Sequence, residues 1–352
     1  MSRIVDPLPQ ASAGAWRFML AWSLPIAIAL AALQSAWWAW VVGIGFQIVM
    51  TLLERWPANR HSPPAVPAGA LHALVPRLHL PLQFGLLGLG LVLAAPLHRS
   101  AGDWAAVFAL GIAVGIVTGS QGITFAHELG HSRRRLDRLM GWLLMSSVNY
   151  SHFMVEHYRG HHSRVGTPDD PASARRGESL WRFLPRTLAG SWRSAWRLEA
   201  RQLRQLRRPW ARSPLLWATL AQVVWLSAIA AIWGGSALLF WLVQSAYAVF
   251  LLETINYIEH YGLQRRQVDG RTEPFGVGHA WNADHHLTNL FIINLQRHSD
   301  HHMHAWKAYP ELAALPGPQL PTGYTGCLML ASVPPLWFRT MHPRLDRLQQ
   351  IR

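Results

Sequence analysis

Cysteine is almost missing from this chain of 352 residues, where Cys327 stands alone. A single thiol cannot build a disulfide framework, a cysteine-rich zinc module or a thiolate-ligated iron–sulfur or rubredoxin-type centre. Any redox chemistry must therefore draw its electrons from another protein. Charge is scarce as well, at 14% of residues against roughly a quarter in a soluble domain. The acidic sign is the rarer one: 18 Asp and Glu stand against 32 Lys and Arg, a formal charge of +14 carried almost wholly by arginine. In a polar chain that surplus would point to nucleic acid. With 51% hydrophobic residues and 19 Trp, it points instead to the basic cytoplasmic face of a membrane protein, with no nucleic-acid partner. The first residues, Met1 to Gly14, lack the basic start, apolar middle and cleavage site of a signal peptide. A retained, cytoplasmic N-terminus is expected.

Apolar runs long enough to span about 30 Å of hydrocarbon come in three pairs. They cover 18–33 and 37–53, 80–97 and 104–125, and 215–233 and 236–255. The short links Gln34-Ser35, His98 to Asp103 and Gly234-Gly235 predict three helical hairpins. The outer links carry only Arg99, whereas Arg55, Arg60, Arg77, Arg133, Arg134, Arg135 and Arg138 fall on the other side. By the positive-inside rule both termini face the cytoplasm. The expected fold is an all-α integral membrane protein: six transmembrane helices and a cytoplasmic helical cap, 126–212 and 256–352, in one catalytic unit over 1–352. Within the cap, Leu139 to Phe153 predicts an interfacial or re-entrant helix, and Tyr324 to Met341 a surface-lying or packed one.

Histidine is abundant, and nine of the 19 fall in four short clusters. The chain reads H-E-L-G-H at His127 to His131, H-Y-R-G-H-H at His157 to His162, E-H-Y-G around His260, and H-S-D-H-H at His298 to His302. Spacings of three and four place such side chains on one helix face. Each neutral imidazole offers one lone pair, so the clusters hold too many donors for one four-coordinate ion. They suit two metal ions with partly open shells on the cytoplasmic side. All-imidazole donors leave iron, copper and zinc open. H-E-L-G-H alone would also fit a zinc intramembrane protease with Glu128 as general base, a reading that leaves six clustered histidines idle. A metal-binding membrane protein without catalysis is the blandest alternative. Glu128, Glu156, Asp170, Glu259 and Asp300 are placed to accept the second N–H of metal-bound imidazoles. Glu253, near the cytoplasmic end of the last span, is a further candidate. His152, His279, His285, His286 and His304 lack the register, although His279 and His304 could still line the pocket.

These motifs, with T-P-D-D-P-A-S-A-R-R-G-E-S, N-Y-I-E-H-Y-G-L, L-Q-R-H-S-D-H-H, L-P-T-G-Y and V-P-P-L-W-F-R, resemble the bacterial alkane 1-monooxygenases. That group lies within the membrane-bound non-haem di-iron superfamily of fatty acid desaturases and hydroxylases. The resemblance runs from about Phe125 to the C-terminus. It implies nine metal ligands, His127, His131, His157, His161, His162, His260, His298, His301 and His302, holding two iron ions. Ser132-Arg133 stands where the family often has two lysines, and Tyr158-Arg159 where small or polar residues are common. What is implied is terminal hydroxylation of medium-chain alkanes or methyl groups by O₂ at the bacterial inner membrane. Electrons would come from rubredoxin and its NADH-dependent reductase. Alkyl-aromatic methyl hydroxylation and membrane-lipid desaturation or hydroxylation are the nearest alternatives. Trp37, Trp38, Trp40, Leu52 and Leu53 are the expected substrate-channel residues. The arginines at 133–135, 175–176 and 207–208 would serve an acidic rubredoxin or anionic lipid headgroups.

Overall fold

The computed structural model describes residues 14–351; the expectations for Met1 to Ala13 lie outside the described residues. Five helices are long and apolar enough to cross a membrane. They are α1 (Ala15–Gln34), α2 (Ala36–Leu53), α3 (Ala70–Ala94), α4 (Ala101–His131) and α8 (Pro214–His260). The intervening and following helices are α5 (Arg135–Ser147), α6 (153–164), α7 (Leu180–Gln205), α9 (His286–Phe291), α10 (His298–Met303), α11 (Tyr324–Ala331) and α12 (Pro334–Ile351). One two-residue hairpin, Gln267–Val268 against Arg271–Thr272, interrupts the expected all-helical fold.

The links follow from local chemistry. Ser35 is extended, and its hydroxyl accepts from Trp38 N at 3.1 Å, so one residue ends α1 and caps α2. Ser100 opens α4 through a capping box with Asp103. Pro214–His260 is 47 residues long, but Gly234 sits at φ 82°, ψ −175°, outside helical space. The chain reverses there. Trp225 and Trp241 rings lie 5.5 Å apart, and Gln222 and Gln244 donate to the adjacent carbonyls of Ser146 and Ser147. In a straight helix the two glutamines would be about 33 Å apart. The two arms, 214–233 and 235–260, therefore run antiparallel, as the two-run reading expected.

The third apolar helix starts at Ala70, ten residues before the expected Leu80, and continues through Pro76 and Pro81. A helical proline frees the carbonyl four residues earlier. Here the His72 carbonyl receives the Tyr309 hydroxyl at 3.0 Å instead, which re-satisfies the helix. The fourth runs six residues past Phe125, through a π-turn at Thr118–Gly122, and carries H-E-L-G-H on its final turns. It packs closely on the second arm of α8. A Cβ at Gly115 would lie 2.9 Å from the Gln244 carbonyl oxygen, and one at Gly119 2.7 Å from Ala248 Cα, a close approach that small residues permit.

The helix expected at 139–153 as interfacial or re-entrant falls on α5, which begins at Arg135, ends at Ser147 and exposes Leu136, Leu139 and Leu143. Tyr324 to Met341 forms α11 and the start of α12. Trp337, Met341 and Leu345 bury against Tyr257 and Tyr261 at the end of α8.

Candidate metal centre

All four histidine clusters meet at one end of the helices. His127 and His131 come from the end of α4, and His260 is the last residue of α8. His298, His301 and His302 come from α10. His157 and His161 have the spacing of a helix face, but the chain opens there into a π-turn, His157–His161. The extra residue in that turn rotates the two imidazoles relative to an α-helix, a deviation that recurs at functional sites.

The donor atoms fall into two groups, each gathered within 4.8 Å. His127, His131, His157, His162 and His301 form one. His161, His260 and His302 form the other, with His298 and Glu259 beside His260. The groups touch, since the His162 and His302 rings are 4.5 Å apart. Nε2 of His127, His131, His161 and His301, and both nitrogens of His302, are buried without a hydrogen-bond partner. Buried polar atoms are rarely left so, and a ring of converging lone pairs is what a metal requires. His157 and His162 face each other through Nε2 at 3.0 Å, as do His260 and His298 at 3.2 Å. Burial first, and then mutual repulsion, push His157, His162, His298, His301 and His302 far below the ordinary imidazole range. They are therefore neutral, with the lone pair that ligation needs.

Of the six carboxylates expected behind the imidazoles, one hydrogen-bonds a ring nitrogen and a second lies beside one without a hydrogen bond. Asp170 Oδ2 lies 2.9 Å from His161 Nδ1 and also accepts from Ser173. Glu259 Oε1 lies 3.2 Å from His298 Nδ1 and accepts from the Tyr324 hydroxyl. The other four hold different groups. Glu128 accepts from the Tyr309 backbone N–H, and Glu156 from Arg164 at 2.6 Å. Glu253 takes Tyr150, Thr187 and Asn256. Asp300 takes His304, Lys307 and the Ala313 N–H. Burial pushes the Glu156 carboxyl up to about 7. The His279 and His304 side chains pair with Glu273 and Asp300, and the His279 backbone reaches the His260 ring.

A narrow cavity of about 100 Å³ leads to the site. Phe46 and Gln47 of α2, Ile116 and Ser120 of α4, and Leu251 and Ile255 of α8 wall it, and His127, His157, His298 and Glu259 close its inner end. None of the five expected channel residues lines it. Trp37, Trp38 and Leu52 are exposed, and Trp40 and Leu53 are half-buried. The inward face of α2 is the stripe through Ala39, Gly43 and Met50, and the bulky indoles lie off it. Sequence inspection also missed Phe153, stacked on His157 at 4.6 Å, and Tyr158, whose hydroxyl donates to the His127 carbonyl. Tyr158 lies within the second histidine motif and Phe153 just before it, the one signal that could have flagged them.

A set of neutral imidazoles at the end of apolar helices is the signature of a membrane metalloenzyme, and sequence relatives specify which. The family described as fatty acid desaturase matches residues 102–330, and the chain belongs to it. Its relatives include alkane 1-monooxygenase 2 of Pseudomonas aeruginosa, 40% identical over 88% of this chain and 84% of the relative. Alkane 1-monooxygenase 1 of the same organism is 38% identical over 93% and 88%. The hydroxylase component of the xylene/toluene monooxygenase of Pseudomonas putida is 29% identical over 86% and 81%.

Proposed function

We propose that this protein is an alkane 1-monooxygenase that hydroxylates the terminal methyl group of medium-chain alkanes. The observation that carries the reading is the convergence of nine imidazoles, most of them buried and several with orphaned nitrogens, three of which line an apolar cavity. Similarity to alkane 1-monooxygenases over most of the chain supports it. The reaction balances as R–CH₃ + O₂ + 2 e⁻ + 2 H⁺ → R–CH₂OH + H₂O.

Two iron ions are the metals proposed. His127, His131, His157, His162 and His301 would hold one, and His161, His260, His298 and His302 the other. Iron would supply the oxidant, because a terminal C–H bond offers no acid–base handle to a side chain. The protein binds and orients. The cavity walls take the alkyl chain out of water and point its end at His127, His157 and His298. Asp170 fixes the ring plane of His161. With one cysteine in the chain, the two electrons come from a carrier, for which rubredoxin and its NADH-dependent reductase are proposed. The five long apolar helices, with α8 counted as two crossings, support a six-span protein of the bacterial inner membrane. Both termini and the cap would face the cytoplasm.

Iron analysis on purified membranes, with octane as substrate, tests the reading. About two irons per chain and formation of 1-octanol are expected when rubredoxin, reductase and NADH are supplied. One zinc per chain would overturn it. Iron without any product from alkanes, xylenes or fatty acids would leave only a metal-binding protein.

A further inference from the structure

Helix α7 is 26 residues long, or about 39 Å, and it crosses the molecule rather than running along it. The arms of α8 give the depth. The pairs 222 with 244 and 225 with 241 are both centred on residue 233, so residues 213 and 253 lie at one level. Helix α7 meets both. The Thr187 hydroxyl donates to Glu253 at 2.8 Å, and the Ser213 hydroxyl donates to Glu199 at 2.8 Å. The axis of α7 therefore lies in a plane across the arms, at the depth where the apolar run of the first arm begins.

Its outward surface is divided in two. Trp181, Leu188 and Trp192 are exposed along one flank, with Trp196 half-buried beside them. Trp181 also stacks over Phe250 of the apolar second arm, ring centroids 6.1 Å apart. Trp196 lies near Trp210, just before the first arm, at 5.9 Å. Arg193, Arg197, Arg201 and Arg204 form the neighbouring flank, all exposed and without a carboxylate partner among the described residues. Indoles and leucine beside unpaired arginines, at the mouth of apolar spans, match a helix lying in a membrane interface.

We propose that α7 is an in-plane helix seated in the headgroup layer, with anionic phospholipid as its partner. The indole flank enters the acyl boundary, and the arginine flank takes the phosphates. The proposal does not depend on the reaction. Its structural consequence is that lipid braces the cap from outside, because the inner face of α7 holds Glu253 and, through Ser194, Arg164.

The test uses the full chain in vesicles, with a bimane label at L188C; Cys327 is buried and escapes the reagent. A spin label near the top of the acyl chain should quench the bimane at least about threefold more than aqueous iodide does. Headgroup-spin-labelled phosphatidylglycerol should quench at least about twofold more than labelled phosphatidylcholine. In the R193Q/R197Q/R201Q/R204Q variant that preference should fall to about one, while acyl-label quenching persists and shows the helix still seated. Iodide quenching equal to or above lipid quenching would overturn the seating. Equal quenching by the two headgroups in the native chain would overturn the anionic partner.

Discussion

The two histidine groups contain the same donor yet are built differently. The five-imidazole group, around His127 and His301, has no carboxylate on any ring nitrogen among the described residues. The four-imidazole group has one hydrogen-bonded carboxylate, Asp170 on His161, while Glu259 lies 3.2 Å from His298 Nδ1 without a hydrogen bond to it. A carboxylate behind a ring raises its basicity and fixes its plane. The first group therefore relies on number and packing, with Phe153 and Tyr158 holding its rings. The second relies on fewer, better-supported donors. The two proposed metals should differ in affinity and in how each is lost.

Removing a ligand is the largest expected break. His260→Ala and His301→Ala each delete one donor from a different group, and each should lower product formation by more than about 100-fold. The asymmetry sharpens in metal content. His260→Ala removes one of four donors and should lose its ion outright, whereas His301→Ala leaves four imidazoles and should retain part of its own. Equal losses measured by iron analysis would show that the groups act as one unit. Next in size is blockage of the cavity that reaches both groups. Ile255→Trp should cut octane hydroxylation by up to about 100-fold through misplacement of the chain, with iron content unchanged. Trp38→Ala, on an exposed face, should leave both unchanged.

How much of this was legible beforehand depends on the kind of signal. Periodicity and composition carried the apolar helices and their links, because Ser35, Ser100 and Gly234 each act locally. Helix spacing carried His127 and His131 and grouped most of the clustered imidazoles, while His260 stood alone in the chain and the full set of nine ligands rested on the family resemblance. The π-turn at His157 was not legible, since one added residue in a turn leaves no mark on an i, i+4 count. Neighbourhood in sequence misled most over the carboxylates. Glu128 and Glu156 sit next to ligands in the chain, yet adjacent helical residues point about 100° apart, and both turn to other partners. Asp170, nine residues beyond His161, is the one that returns to it. The expected channel residues lie off the cavity for a related reason: aromatic bulk was visible, but the inward face of α2 is set by tertiary packing.

The carboxylate difference gives the third test. Asp170→Asn keeps an acceptor near His161 Nδ1 but removes its charge, and should weaken binding in the four-imidazole group by about tenfold, the lower end for an outer-shell change. Glu128→Gln, which touches none of the nine rings, should leave affinity unchanged. Metal competition with a chelator would read both. A tenfold effect from Glu128→Gln with none from Asp170→Asn would reverse the assignment of support.

The smallest effect, about 1.4 kcal/mol per imidazole per pH unit, concerns protons on the metal-free chain. His157, His162, His298, His301 and His302 are depressed far below 6.5, by burial and then by one another. The unfolded chain therefore binds protons before the folded one does, and stability falls as pH drops below about 6.5. The same shift means that free imidazole overstates the acid sensitivity of metal binding: in the folded site these rings stay neutral well below that pH. Three of the five lie in the first group and two in the second. Removing His162 and His301, or His298 and His302, leaves three of the five, so either variant should lose less stability between pH 7 and 5 than the native chain, and by a similar amount. Thermal melts of metal-free protein at the two pH values would measure this, and a loss as large as the native chain's in either variant would show that its group does not carry the proton-sensitive burial.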